Sequence, residues 1–420
     1  MISQTYIKIF YLSCCLICLG FLVDQVSVSK NILKFSTSST LEREILTNSQ
    51  TNSYANIIQS YITDFGTYSK VQRKGRTSFL GKNREHSFPL ITGDGFRMLA
   101  DIIVDEPLSD SIEAASHFDW QSKSACESVG RNLKLSKEQA VVLFINSNQV
   151  LPFFSSGCFD SISIPVVLIT HNGDEDQPSD DNARYLEHPT LVHWFAQNCD
   201  RVHEKLTCIP IGIENRQWGP PSVAGTHGSM PELLLGMMAV RMHAYSTSEL
   251  AALARIDKSY KHTWAFFPGK THKSRDDVVS ILETKKPHWI RLSGSPDGGK
   301  YFVTDYYRHI LQHVAIVCPR GHGRDSHRAW ESLYLGRVII TLHSPPDKLW
   351  DGLSVIFFNS WDELPVMETK ILETAISFTT SMSLSIHKLF IPYWLCQIGS
   401  FANRSFGFCG QDAILKILLS

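Results

Sequence analysis

The residues with the clearest chemical potential form a basic, glycine-containing loop and a carboxylate that soon follows it. The set is Arg320, Gly321, Gly323, Arg324, Arg328 and Glu331. Guanidinium groups bind phosphate oxygens in a bidentate manner, and a carboxylate accepts hydrogen bonds from two vicinal hydroxyl groups. The combination predicts a site for a ligand that carries both phosphate and sugar. A surface ion pair between Arg328 and Glu331 is the ordinary alternative, because the two are neighbours on a helix.

The elements around this loop are typical of a parallel α/β sheet. An apolar run at 314–318 predicts a strand, the loop follows Pro319, and an amphipathic helix comes next. Gly336 ends that helix, and 338–341 predicts a further buried strand. Ligands bind at the carboxyl ends of such strands, where the following helix presents unpaired N–H groups to an anion. The loop is therefore predicted to lie where a phosphate binds.

A second strand, basic loop and helix precede the first. The apolar run 264–267 predicts a strand, and the segment after it is rich in cations up to Arg275. A helix is predicted over 276–283. Lys270 and Arg275 are the candidates for a phosphate contact, and a solvated basic turn is the alternative. Two such loops in one half of the chain could converge on a single diphosphate.

The first half of the chain carries its own buried strands. Continuous apolar runs at 140–146, 164–170 and 206–212 each end in polar residues, as parallel strands covered on both faces do. A zone rich in glycine and proline follows at 219–228, and it motivates a domain boundary. The predicted class is α/β, with two Rossmann-like domains facing a cleft. The ranges are 81–235 for the first domain, 236–375 for the second, and 376–420 for a helical tail that packs back on the body.

Three side chains in the first half are candidates for a catalytic base. Asp94 lies in a glycine-flanked loop, and His171 and Asp174 follow the strand predicted at 164–170. A carboxylate or an imidazole can take a proton from a hydroxyl group, and the sequence leaves all three candidates open. Asp94 is alternatively a turn former. The acidic cluster Asp174–Asp176 is the alternative place for a metal ion, but neutralisation by arginine is favoured, so no metal or other cofactor is expected to be obligatory.

The stretch from Val314 to Thr341 also resembles a known family. Cys-Pro-Arg-Gly at 318–321, Asp-Ser-His-Arg at 325–328 and Trp-Glu-Ser-Leu at 330–333 are similar to the donor-sugar motif of exostosin-like (GT47-like) glycosyltransferases, which have the GT-B fold. The resemblance implies that Glu331 holds the donor ribose and that the basic loop faces the donor diphosphate. It implies that a cation of the earlier loop also faces the phosphates, and that the first domain binds the acceptor.

The N-terminal region indicates the secretory pathway. An apolar run over 9–23 follows Lys8 and precedes a stretch rich in Ser, Thr, Asn and Gln. This order predicts a signal anchor at 1–24 and a stem at 25–80. The expectation is a single-pass type II protein of the Golgi membrane with its body in the lumen. A soluble lumenal protein, released by signal cleavage, is the alternative.

The cysteines indicate which compartment the protein occupies, and the net charge indicates which partners it has. Ten cysteines are present, and the pairs Cys199 with Cys208 and Cys396 with Cys409 are candidates for disulfides in an oxidising lumen. Asn403 begins a glycosylation sequon. The formal charge of -1 gives no global attraction to nucleic acid, so nucleic acid is not an expected partner.

The leading hypothesis is a glycosyltransferase that moves a sugar from a nucleotide-diphosphate sugar to a glycan or glycoprotein, with inversion and without a metal. A non-catalytic lumenal protein that binds glycans or nucleotide sugars is the second hypothesis, because loss of one base would abolish turnover and leave donor binding intact. A polysaccharide hydrolase would need two carboxylates facing one glycosidic bond, and only Asp174–Asp176 hints at them.

Overall fold

Two parallel five-stranded sheets organise the part of the chain that this computed structural model describes. That part comprises residues 89–104, 120–129, 139–215, 231, 234, 261–267, 272–293, 301, 303–381, 386–404 and 409. The described residues all fall in one compact unit. The predicted anchor (1–24), the predicted stem (25–80) and Lys270 lie outside them. Over the described residues, no helix has the length and apolarity needed to cross a membrane.

The first sheet has its strands in sequential order, all of them parallel. They are β1 (Ile102–Val104), β2 (Val141–Asn146), β3 (Val166–His171), β4 (Leu191–Ala196) and β5 (Leu206–Cys208). β3 is buried along its whole length and β2 along all but its last residue, which is why both read as unbroken apolar runs. The predicted strands at 140–146 and 164–170 are confirmed. The one at 206–212 is wrong beyond Cys208, because the chain then leaves the sheet to meet the second half of the protein.

The second sheet contains β6 (Thr263–Phe266), β7 (Ile290–Ser293), β8 (Ala315–Val317), β9 (Val338–Leu342) and β10 (Val355–Phe358). Its spatial order is β10-β9-β8-β6-β7, and every pair is parallel. The chain therefore reverses its progress across the sheet between β6 and β8. Such a reversal opens a crevice outside the carboxyl ends of the two strands, and ligands of open α/β sheets bind in this crevice.

The strands predicted from sequence at 264–267, 314–318 and 338–341 correspond to β6, β8 and β9, whereas β7 was not predicted. β7 is an edge strand with three half-buried residues, including Arg291 in its middle, so it lacks the apolar run that marks its neighbours. The described helices are α1 (Gly93–Arg97), α2 (Lys123–Glu127), α3 (Val150–Ser155), α4 (Lys273–Lys285), α5 (Val303–Leu311), α6 (His327–Tyr334), α7 (Glu368–Ser381) and α8 (Ile391–Phe401). The helix predicted at 276–283 is thus confirmed as the centre of α4.

One hydrophobic core joins the two sheets. It includes Phe144 and Phe195 of the first sheet, Trp264 and Ile339 of the second, and Trp394 of α8. Separate clusters cover the outer face of each sheet. Burial of large side chains stabilises a protein by about 1.5–3 kcal/mol each, so this shared core fixes how the two sheets meet.

The last described helix packs against the start of the first sheet. The Ile391 N–H donates to the Pro89 carbonyl at 3.0 Å, and Phe390 forms a bridge with Leu90. Arg404 forms a buried ion pair with Asp101 and donates to the Ala140 carbonyl at 2.8 Å. The C-terminal segment is therefore anchored by both backbone and charge.

Three disulfides occur in the described part of the chain. Two are the pairs considered from sequence, Cys199–Cys208 and Cys396–Cys409. The third, Cys126–Cys158, joins α2 to the segment after α3, with a Cα–Cα distance of 5.3 Å. Cys318 is a free, buried thiol; burial raises its pKa to about 12, which keeps it neutral and unreactive.

Candidate functional site

Arg275 and Arg320 both lie at the crevice of the second sheet. Arg275 is on the first turn of α4, which comes after β6, and Arg320 is in the loop that follows β8. A Cβ at Gly321 would lie 3.0 Å from Arg275 Nη2, so the Arg275 guanidinium rests against the backbone of that loop. Glycine at 321 permits this approach. Arg275 and the second loop therefore meet at the point where the strand order reverses.

Three arginines and one histidine lie close enough to influence one another's pKa values. Burial first, and then the charge of Arg328, lowers the pKa of Arg275 to about 10. Burial likewise lowers the pKa of His272, with Arg320 as the next cause. We call His272, Arg275, Arg320 and Arg328 the cation cluster. Like charges gathered in a partly desolvated site raise the free energy of the empty protein, and a bound anion relieves that repulsion.

The cluster contains no carboxylate counterion among the described residues. Arg275, Arg320 and Arg328 form no ion pair there, and the Nε atom of each is buried without a hydrogen bond. Arg328 instead lies over the rings of Phe266 and Phe267, at 5.6 and 5.4 Å from their centroids. Arg320 donates to the His322 carbonyl at 2.8 Å within its own loop. Three half-buried guanidinium groups favour an anionic partner, so this arrangement is suited to a phosphate-bearing ligand.

Glu331 lies on α6, one turn beyond the start of the helix that follows the second loop. It is 6% exposed, and its Oε1 accepts a hydrogen bond from the Tyr307 hydroxyl of α5 at 2.9 Å. The surface pair with Arg328 is therefore not formed. Sequence patterning gave no role to Tyr307, because a tyrosine in an amphipathic helix is ordinarily a core residue. Its hydroxyl orients the carboxylate and leaves it at the edge of the cluster.

The three candidate bases of the first half lie in very different surroundings. His171 is 1% exposed; its Nδ1 accepts from the Asn172 N–H at 2.7 Å, and its Nε2 lies 3.0 Å from the Pro210 carbonyl. Burial lowers the pKa of His171 to about 4. Both ring nitrogens are thus committed to structure in a neutral imidazole, and we assign His171 no proton-transfer role.

Asp94 and Asp174 differ from His171 and from each other. Asp94 is buried in α1, where its N–H donates to Asn215 Oδ1 at 2.9 Å, and the Thr92 side chain caps the helix. Asp174 is exposed in the loop after β3. The structure brings Asp94 and His171 to one edge, since a Cβ at Gly93 would lie 2.6 Å from His171 Nδ1. Asp174 stands outside that network.

The second loop also makes contacts with the first sheet. Arg324 Nη2 lies 2.6 Å from Asp176 Oδ2, and a Cβ at Gly323 would lie 2.7 Å from Asn198 Nδ2. Arg324 and Gly323, both predicted to bind donor, are therefore used between the sheets. Gly323–His327 on one side and Asp176, Asn198, Ile211, Gly212 and Glu214 on the other form what we call the seam.

Asp325 is the centre of the seam. Its carboxylate accepts from the Ile211 N–H at 2.8 Å, the Ser326 N–H at 2.7 Å and Trp330 Nε1 at 2.8 Å, and its own N–H donates to Asn198 Oδ1 at 3.0 Å. Burial raises the pKa of Asp325 to about 6 despite these bonds. The Asp-Ser-His-Arg pattern signalled this position, but only the fold reveals its partners.

Among the described residues, no group of three or more His, Cys, Asp or Glu side chains is placed to hold a metal ion. In the acidic cluster Asp176 pairs with Arg324, and Asp174 is exposed.

Comparison with known proteins gives a weak fold likeness. No protein family and no curated protein matches the chain. A UDP-forming trehalose-phosphate synthase from Burkholderia xenovorans is 10% identical, with a TM-score of 0.39 over 70% of this chain and 79% of the other. A second structure of such a synthase from that organism, in complex with glucose-6-phosphate, is 8% identical, with a TM-score of 0.38 over 73% of this chain and 80% of the other. An alpha1,3-fucosyltransferase is 10% identical, with a TM-score of 0.29 over 82% of this chain and 85% of the other. All three TM-scores are below 0.5, so these similarities indicate no more than a weak likeness of fold.

Proposed function

We propose that the protein is an exostosin-like glycosyltransferase of GT-B fold. It transfers a sugar from a nucleotide-diphosphate sugar to a glycan or glycoprotein acceptor, with inversion and without an obligatory metal. The cation cluster at the crevice of the second sheet is the observation that carries this proposal. Three arginines without ion-pair partners among the described residues provide the charge that a diphosphate leaving group needs.

The position of Glu331 supports a nucleotide rather than a simple phosphate ligand. Its carboxylate is fixed by Tyr307 beside the cluster, and a fixed carboxylate suits the vicinal hydroxyls of a ribose. The N-terminus of α6, which follows the second loop, adds favourable charge for an anion. Together these groups match a ligand with a sugar joined to a diphosphate.

We place the protein in the Golgi lumen as a type II membrane protein. The three disulfides support a lumenal location, since such bonds persist in oxidising compartments. The soluble lumenal form remains the alternative, and N-terminal sequencing of the secreted and membrane fractions distinguishes the two.

The donor site is tested by removing one cation of the cluster. Purified full-length protein is titrated with UDP and GDP, and then with uridine and guanosine. The Arg275→Ala variant should bind a diphosphate about 10- to 100-fold more weakly, as expected for the loss of a charged hydrogen bond, while nucleoside binding stays unchanged. Lys285→Ala, an exposed cation at the other end of the same helix, is the matched control. Equal diphosphate affinity in the Arg275→Ala and wild-type proteins would contradict the assignment.

The Glu331→Gln variant tests the ribose contact separately. It keeps the shape of the side chain and loses the charge, so nucleotide affinity should fall by about 10-fold while inorganic diphosphate binding is retained.

Metal independence is tested by chelation. Transfer should continue in EDTA; loss of transfer in EDTA and its return with Mn²⁺ would contradict the metal-independent mechanism.

The second candidate function is donor binding without turnover. The same cluster supports it, because every group named so far binds the donor and none removes a proton from an acceptor. Release of nucleoside diphosphate from a bound nucleotide sugar decides between the two. Stable binding with no release, with water or glycans as acceptors, would favour the non-catalytic protein.

A further inference from the structure

A carboxylate and an imidazole meet across the seam, next to the cation cluster. Glu214 lies in the segment that leaves the first sheet after β5, and His327 is the first residue of α6. Glu214 Oε2 is 3.3 Å from His327 Nε2, and His327 Nδ1 is 2.8 Å from the Gly212 carbonyl. The sequence did not reveal that Glu214 and His327 are partners, because the two residues are more than a hundred positions apart.

The hydrogen bonds indicate how the pair holds its protons. Nδ1 faces a carbonyl oxygen, which can only accept, so Nδ1 carries a hydrogen. Nε2 then faces a carboxylate, and this contact is attractive when a proton lies between the two groups. The His327 ring is therefore held between the Gly212 carbonyl and the Glu214 carboxylate. Glu214 Oε1 also accepts from the Asn215 N–H at 3.2 Å, which fixes the orientation of the carboxylate.

The location of the pair links the two halves of the protein. The first turn of α6 presents His327 to the first sheet and Arg328 to the cation cluster. The pair therefore lies where the first turn of α6 joins the first sheet to the cluster. The pair is also reachable: the side chains of Glu214 and His327 are 15% and 34% exposed, whereas the His171 residue is 1% exposed.

We propose that Glu214 is the catalytic base of the transfer and that His327 is its positioning partner; this inference rests on the proposed function. The proton of the acceptor hydroxyl moves to the Glu214 carboxylate. The acceptor oxygen forms a bond to the anomeric carbon, the bond from that carbon to the phosphate oxygen breaks, and its electron pair leaves with the nucleoside diphosphate.

A second glutamate–histidine pair provides a matched control. Glu187 Oε1 lies 3.0 Å from His203 Nε2 on the first half of the chain, in an exposed setting away from the seam. Glu214→Gln and Glu187→Gln therefore make the same chemical change in two similar pairs, and only one pair borders the cluster.

The test measures nucleoside diphosphate released by the full-length protein from UDP-sugars and GDP-fucose, with water as the acceptor. Glu214→Gln should lower the rate by about 10²- to 10⁴-fold, which is the usual contribution of a general base, and should change the Kd for UDP or GDP by less than about threefold. Glu187→Gln should match the wild type. Wild-type rates in Glu214→Gln, or loss of its nucleotide binding, would overturn the assignment of Glu214 alone.

Azide distinguishes a base from a residue that merely supports the fold. Azide attacks without losing a proton, so it should restore release in Glu214→Gln to within about tenfold of the wild-type azide rate. His327→Gln should lower kcat with water, and azide should restore it as well, because His327 acts by holding the Glu214 carboxylate. Failure of azide to restore Glu214→Gln would contradict the base role. A wild-type protein that binds neither UDP nor GDP would instead overturn the proposed function together with this inference.

Discussion

The seam and the cation cluster are adjacent, and both draw on the loop between β8 and α6, but they treat charge in opposite ways. In the seam Arg324 has Asp176, and Asp325 accepts three hydrogen bonds. In the cluster Arg275, Arg320 and Arg328 have no ion-pair partner among the described residues. A seam charge should therefore contribute to stability, and a cluster charge to ligand binding.

The largest effect should come from the centre of the seam. Asp325→Ala removes the acceptor for three donors, among them the Ile211 N–H and Trp330 Nε1, and leaves them buried. Each of the three unsatisfied donors costs about 1–3 kcal/mol, so the free energy of unfolding should fall by about 3–9 kcal/mol, as measured by urea denaturation. Asp351→Ala, at an exposed position, should change it by less than about 0.5 kcal/mol. A loss below about 1 kcal/mol in Asp325→Ala would remove the distinction between seam and cluster.

The next effect concerns His171, which lies beside the seam and is neutral in the folded state. Burial lowers its pKa from 6.5 to about 4, and the charge of His327 acts in the same direction. The unfolded chain therefore binds a proton that the folded one does not, and the stability from His171 is full above pH 6.5 and lost as the pH falls through about 4. The size of this loss is about 3 kcal/mol.

The His171→Gln variant isolates this contribution. Between pH 7 and pH 4 the wild type should lose about 3 kcal/mol more unfolding free energy than the variant does. Other buried histidines whose pKa is lowered, such as His193 and His313, are present in both proteins and cancel. Parallel pH dependence of the two proteins would show that His171 is accessible to protons, and would reopen its candidacy as a base.

The smallest effect separates two arginines of one loop. Arg324 and Asp176 are 22% and 31% exposed, so Arg324→Ala should cost at most about 1 kcal/mol of stability after screening by solvent. Its affinity for UDP or GDP should stay within about twofold of the wild type. Arg320→Ala, in the same loop, should leave stability unchanged and weaken diphosphate binding by about 10-fold. The reverse result would assign Arg324 to the ligand and Arg320 to the fold.

Much of the architecture follows from the sequence because it depends on local patterns. Buried parallel strands need unbroken apolar runs, so the sequence alone predicts β2, β3, β6, β8 and β9. β7 escapes because an edge strand buries only part of its surface. Glycine-flanked basic loops after β6 and β8 likewise predict an anion site, since both the residue types and their place after a strand are local facts.

What only the tertiary structure decides is which charges meet. The sequence offers Arg320, Arg324 and Arg328 as equivalent, and the fold divides them because Asp176, which is distant in the chain, reaches only Arg324. The sequence suggests His171 as a base, whereas in the fold both nitrogens of its ring contact backbone groups. The partnership of Glu214 with His327 depends on the joining of two sheets through one core, and electrostatic energy depends on the distances that this joining sets.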